Sequence, residues 1–301
     1  MRTDFGDLLT AVITPFDQSM QVDFVEFRHL VKTLIKQGSD GIVVAGTTGE
    51  SPTLTREEKL GLFKVAVEEA GEKAQVVAGT CTYSTAESVE LSKEAENIGV
   101  HGILGTVPYY SKPPQEGLYL HFHAIAEAVG IPLMLYNIPS RTGVNLEPET
   151  IARLAEIPNI SAIKEASGKS DQVSNIRRLT GDGFEIYSGD DNMTLTILAL
   201  GGRGVVSVAS HIAGSEIRSM IESFQQGDTR RAREIHLKLY PLFKALFVAT
   251  NPIPLKAALS MLGWKCGNPR LPLCSLSEDK VPALRRTLID AGYLGAEENR
   301  G

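Results

Sequence analysis

One lysine at the end of an apolar run constrains the chemistry of this chain more than any other residue. Lys164 follows Ile160-Ser161-Ala162-Ile163 and precedes Glu165-Ala166-Ser167-Gly168. If that run is a buried strand, burial disfavours the ammonium and lowers the lysine pKa. An amine lowered in this way attacks a carbonyl carbon and forms a Schiff base. The plainer alternative is a solvated lysine at a strand end. Tyr136 closes a similar run. It is either a core tyrosine bonded to backbone or a general acid/base for carbonyl chemistry. The loop Gly46-Thr47-Thr48-Gly49-Glu50 offers hydroxyls and backbone N–H groups that suit a small carboxylate. It is not a Walker loop, because no Gly-Lys-Ser/Thr follows. Arg141, on a loop after Pro139, is placed either to grip a carboxylate through two parallel hydrogen bonds or simply to meet solvent.

The elements that must hold these residues repeat in a simple order. Short apolar runs at 8–13, 41–45, 75–79, 102–107, 132–137, 160–165, 184–188 and 204–208 do not alternate with polar residues. That suits parallel strands buried on both faces. Amphipathic stretches at 23–37, 55–70, 84–98, 116–129, 148–155, 171–179, 192–200 and 212–224 lie between and after them. Thr55 with Glu58 three residues later reads as a capping box, and Gly38, Gly71, Gly99, Gly130, Gly181 and Gly201 sit where helices should end. Eight strand–helix units predict an α/β fold, a (β/α)8 TIM barrel over 1–225. Helical stretches at 228–249, 254–262 and 277–291 predict a C-terminal helical region over 226–301, packed on the barrel or on a partner. An open doubly wound sheet would want G-x-G-x-x-G after the first strand, and that strand ends in Thr14-Pro15-Phe16-Asp17. Barrel enzymes place their sites at the C-terminal strand ends, which is where every residue named above falls.

Composition excludes other classes. The chain has 301 residues, 43% hydrophobic and 22% charged, so apolar surface is sufficient to offset ordering entropy. No apolar run approaches the roughly 20 residues of a membrane span, and Met1–Phe5 lacks the pattern of a signal peptide. A net charge of −6 without a basic cluster argues against nucleic-acid or anionic-membrane partners. Three cysteines without C-x-x-C, Cys81, Cys266 and Cys274, read as reduced thiols, and the expected location is the cytoplasm. His121 and His123 point to different faces of a helix, so no metal site is expected. Gly201-Gly202-Arg203-Gly204 precedes a strand and reads as a turn at the opposite barrel face. Trp264 reads as a packing residue.

Taken together, these residues resemble the dihydrodipicolinate synthase family, within the wider group of pyruvate-dependent class I aldolases and lyases. The resemblance runs from Thr10-Ala11-Val12-Ile13-Thr14-Pro15-Phe16 to Asn251-Pro252-Ile253-Pro254-Leu255-Lys256. It implies that Lys164 forms the Schiff base with pyruvate and that Tyr136 is the central acid/base. It implies that Thr48 and Tyr110 complete a proton relay with Tyr136, Tyr110 entering from a neighbouring subunit. Thr47 and Thr48 would hold the pyruvate carboxylate, Arg141 that of aspartate semialdehyde, and Gly189 and Val206 would line the pyruvate side. No cofactor is implied. Gly-Thr-Thr-Gly-Glu, and Arg141 after the fifth strand, favour the synthase over sialic-acid lyases. Those lyases usually carry Gly-Ser-Thr-Gly-Glu and lack the arginine. A pyruvate lyase acting on another aldehyde, and a non-catalytic keto-acid binder, are the alternatives.

The resemblance also implies self-association, as a dimer of dimers, and a feedback pocket for lysine. The matching positions are Ser51, Pro52, Arg56, Lys59, Tyr83, Glu87 and Tyr109. Glu87 and Tyr109 fit the sensitive pattern. Arg56 and Lys59 stand where sensitive enzymes tend to carry histidines, and Tyr83 where they carry asparagine. Two fixed cations would repel the ligand's ammonium, so weak inhibition is expected.

Overall fold

Runs of Val, Ile and Leu with no polar alternation have two faces to bury, and all eight form strands of one closed parallel barrel in sequence order. The computed structural model describes residues 5–295. Residues 1–4 and 296–301, at the edges of the two expected regions, lie outside the described residues. The elements run β1 (Leu8–Ala11), α1 (Phe24–Lys36), β2 (Gly41–Val44), α2 (Arg56–Ala70), β3 (Gln75–Gly79), α3 (Thr85–Ile98), β4 (Gly102–Thr106) and α4 (Gln115–Ala128). There follow β5 (Leu133–Asn137), α5 (Pro139–Thr142), α6 (Pro148–Ala155), β6 (Ile160–Glu165), α7 (Ser170–Thr180), β7 (Glu185–Ser188), α8 (Thr194–Ala199), β8 (Gly204–Ser207) and α9 (Ser210–Gln225). Three more helices complete the chain: α10 (Thr229–Ala245), α11 (Ile253–Met261) and α12 (Val281–Asp290).

The period-two alternation of strands sorts the side chains into two cores. Leu9, Val43, Val77, Leu104, Met134, Tyr136, Ala162, Tyr187 and Val206 fill the barrel. Their neighbours, such as Leu133, Leu135 and Ile163, pack outward beneath the helices. On β6 this period sends Ala162 inward, Ile163 outward and Lys164 inward again, one step nearer the mouth. The helices begin and end for local reasons. Thr55 accepts from the Glu58 amide at 3.2 Å while the Glu58 carboxylate accepts from the Thr55 amide at 2.9 Å, the reciprocal cap expected from their spacing. Gly99 ends α3 in the left-handed region, with φ 96. Gly130 does not act this way: α4 ends in extended backbone at Val129, and the Gly130 amide donates to Glu96 at 2.8 Å.

The C-terminal helices are stitched into the barrel mouth. α10 packs along α9, and α12 against α10 and α11. Lys256 on α11 reaches Glu50 at 2.6 Å, both side chains almost fully buried. Arg270 holds the Glu58 carboxylate with two hydrogen bonds of 2.8 and 2.6 Å and lies 4.3 Å from the Phe16 ring centre. The Arg270 amide donates to Glu50 at 2.8 Å. The Gly-Thr-Thr-Gly-Glu loop is therefore anchored by residues more than two hundred positions away.

Candidate active site

Lys164 and Tyr136 face each other in register across β5 and β6. Lys164 is 5% exposed, and its Nζ lies 4.3 Å from the centre of the Tyr136 ring. Burial lowers the Lys164 pKa to about 8, against the opposing pull of Asp190 and Asp191 and with a smaller lowering from Arg141. About a tenth of the lysine is then a free amine at neutral pH. Burial pushes the Tyr136 hydroxyl up to about 12, partly offset by a hydrogen bond with Thr47 and by the Arg141 charge. Tyr136 accordingly keeps its proton at neutral pH and has it available to give. Asp190, just beyond β7, is raised by burial to about 6, with Lys164 pulling the other way.

Gly189 and Val206 complete the floor around the amine. A Cβ on Gly189 would sit 2.6 Å from the Ala166 Cβ and 3.3 Å from the Lys164 Cε, so only glycine leaves the lysine its place. Val206 on β8 belongs to the barrel interior together with Tyr136. Asp191, wholly buried, accepts from Ser207 and from the Val208 and Ala209 amides at 3.1 and 3.0 Å, which fixes the turn after β8.

The two threonines of the loop do different things, and this corrects one expectation. Thr48 was expected in the relay with Tyr136, but the side chain bonded to Tyr136 is Thr47. The Thr48 hydroxyl accepts instead from the Asn251 Nδ2 at 2.9 Å. The reason is competition for partners: Asn251, brought in from the C-terminal region, engages the Thr48 hydroxyl and leaves Tyr136 to Thr47. Arg141 lies not on an open loop but on the single turn α5, whose first residue is Pro139. Its Nη2 donates to the Asn251 carbonyl at 3.4 Å. Tyr110 is 91% exposed, with φ 71, and does not join the other site residues within this chain.

A cavity of about 510 Å³ opens beside the site and is lined by Thr47, Ile138 and Arg141 together with Ser51, Lys59, Tyr83, Glu87 and Tyr109. The expected feedback positions are thus largely brought together, with one exception. Arg56 does not line the cavity; it turns outward to Glu94 at 2.7 Å, where a carboxylate on α3 partners it. Lys59 does line it, 9% exposed, its pKa lowered by burial and raised in part by Glu87. Tyr83 and Tyr109 meet edge to face with ring centres 5.3 Å apart.

Residues outside the expected site bear on it too. Asp190 stood in the sequence within Gly189-Asp190-Asp191 at a strand end but carried no assigned role. Asn251 was visible only as part of Asn-Pro-Ile-Pro, with nothing to link it to Thr48. Elsewhere, His121 bonds Thr85 at 2.9 Å, His123 lies 3.3 Å from Glu127, and Trp264 packs on His29 with ring centres 5.2 Å apart. Among the described residues no group of three or more His, Cys, Asp or Glu side chains could hold a metal, and no helix is long and apolar enough to cross a membrane.

A closed barrel with a buried lysine, a proton-bearing tyrosine and a cation at its C-terminal mouth defines the class of amine-dependent carbonyl catalysts. Comparison with known proteins narrows the class. Residues 4–291 match the model of the dihydrodipicolinate synthetase family. A 4-hydroxy-tetrahydrodipicolinate synthase from Thermosynechococcus vestitus is 56% identical over 97% of this chain and 99% of its own. One from Desulforudis audaxviator is 54% identical over 98% of this chain and 100% of its own. A crystal structure of the Cyanidioschyzon merolae enzyme with lysine bound superposes with a TM-score of 0.95 at 49% identity, covering 96% of this chain and 99% of that one. The chain belongs to the dihydrodipicolinate synthetase family.

Proposed function

We propose that the chain is a Schiff-base-forming 4-hydroxy-tetrahydrodipicolinate synthase that condenses pyruvate with L-aspartate 4-semialdehyde. The observation that carries this reading is the buried Lys164 amine held 4.3 Å from the Tyr136 ring centre, with Thr47 and Arg141 at the same mouth. The free amine attacks the pyruvate ketone. The Tyr136 hydroxyl gives a proton to the departing oxygen, water leaves, and an iminium to Lys164 remains. Loss of a methyl proton gives the enamine, which attacks the aldehyde carbon to form the new carbon–carbon bond. The amino group brought by the aldehyde substrate then attacks the iminium carbon, closes the ring and releases Lys164. Thr47 supports the proton movements at Tyr136. Thr48, with the loop amides, holds the pyruvate carboxylate. Arg141 receives the carboxylate of the aldehyde substrate, a charge that a sugar aldehyde lacks at that place.

The assembly belongs to the same reading. Tyr110 stands exposed at the mouth and serves the site of a second copy, so the working unit is a homodimer, paired into a tetramer with two-fold symmetries. The cavity containing Lys59, Glu87 and Tyr109 is the counterpart of the family's lysine pocket, altered by Lys59 and Tyr83. The chain works in the cytoplasm.

The test is a coupled assay with pyruvate and aspartate semialdehyde beside one for N-acetylneuraminate cleavage, together with borohydride trapping of pyruvate. Turnover in the first assay and a pyruvate-derived mass on the Lys164 peptide are expected. Turnover only in the second assay, or an adduct on another lysine, would overturn the reading.

A further inference from the structure

Thr48 and Asn251 lie far apart in sequence and meet in a buried hydrogen bond at the barrel mouth. Asn251 is 5% exposed and Thr48 2%. The amide Nδ2 donates to the Thr48 Oγ at 2.9 Å. A hydroxyl that already accepts still has its own proton to donate. A carboxylate only accepts, so it needs such a donor. The rest of the Asn251 side chain is poorly served: its Oδ1 is buried and has no hydrogen-bond partner. A buried orphan acceptor is a cost that fold stability gives no reason to keep. The backbone of the same residue also meets a site residue, its carbonyl accepting from Arg141 at 3.4 Å.

We infer that Asn251 is a positioning residue that sets the direction of the Thr48 hydroxyl, turning its proton away from the protein and toward the keto-acid carboxylate. This rests on the proposed role of Thr48 as a carboxylate ligand. Asn251 does not touch the reacting carbons. Its side chain serves the keto acid through Thr48, and its carbonyl steadies Arg141 independently of that side chain.

The direction of the bond separates this role from simple packing. Asn251→Asp has the same shape but can only accept when ionised, so the Thr48 proton would turn to it and away from the ligand. Asn251→Ala removes the donor and leaves the hydroxyl free to rotate. The KM for pyruvate is expected to rise roughly tenfold in Asn251→Ala and further in Asn251→Asp, with kcat changed less than about twofold in the alanine variant. The KM for aspartate semialdehyde should move little in Asn251→Ala, since the Arg141 contact is to backbone. A shape-filling role predicts the reverse order, aspartate being the milder change, and that order overturns the inference.

A double-mutant cycle keeps the test decisive if the aspartate variant folds poorly. In a Thr48→Val background Asn251→Ala should raise the KM for pyruvate no further. Additive effects overturn the positioning role. If Thr48→Val alone leaves the KM for pyruvate unchanged, the carboxylate reading of the loop fails and takes this inference with it. If Thr48→Val raises the KM and both Asn251 variants do not, only the role of Asn251 falls.

Discussion

The Lys164 ammonium nitrogen lies 4.3 Å from the centre of the Tyr136 ring, and the two residues are register partners on adjacent strands. The pairing puts the buried amine and the phenol at one height in the barrel without help from any loop. Strands are rigid, so the geometry that the chemistry needs is set by the sheet itself.

The first prediction concerns pH. Imine formation with pyruvate should follow the free amine, rising about tenfold per pH unit at low pH and levelling off near 8. Because Arg141 lowers the Lys164 pKa and Asp190 raises it, Arg141→Ala should move the inflection upward and Asp190→Asn should move it downward. Borohydride trapping rates across pH 6–11 would show this. An inflection at the ordinary lysine value, or shifts of the same sign in both variants, would sink the electrostatic account.

Arg141→Ala should also separate the two substrates. Loss of a charged hydrogen-bonding partner costs about 1.5–3 kcal/mol, or roughly tenfold to more than a hundredfold in kcat/KM. That loss should fall on aspartate semialdehyde, while trapping of pyruvate at saturating pH stays nearly intact. Equal losses for both would make the residue structural.

Mixing experiments would reveal whether Tyr110 serves a second copy. Lys164→Ala and Tyr110→Phe variants should each be nearly inactive. After subunit exchange in equal amounts about half the dimers are mixed, each with one intact site, so roughly a quarter of native activity should return. No recovery, in samples shown by mass spectrometry to have exchanged, would place Tyr110 in its own chain's site, and an active Tyr110→Phe variant would place it outside the chemistry.

Lysine should inhibit weakly. Lys59 lines the cavity and would repel an ammonium placed there, whereas Arg56 is paired outward with Glu94. Calorimetry should therefore find tighter lysine binding in Lys59→His and little change in Arg56→His. Strong inhibition of the native chain below about 1 mM lysine would contradict this.

The barrel was legible because its strands are continuous apolar runs, and burial on both faces leaves such runs few alternatives. Lys164 and Tyr136 were legible for the same reason, since each ends a run and so must stand at the mouth. The single turn α5 was not, because four residues are too few to show a helical period. Thr47 and Thr48 carry identical side chains on a glycine-flanked loop, and only the traced backbone tells which one meets Tyr136. The bond from Asn251 to Thr48 joins residues 203 positions apart, and local pattern carries no signal over that distance. Arg56 was misplaced because its partner Glu94 sits on the next helix over.

The anchoring of the Gly-Thr-Thr-Gly-Glu loop by Lys256 and Arg270 has a consequence for the order in which the protein matures on the ribosome. All eight strands are available once Ser207 has emerged, so the barrel can close while the last third of the chain is still being made. At that stage Glu50 is a carboxylate with no cation to meet it. The nascent barrel therefore has Lys164 on its strand before the loop has either of its distant anchors.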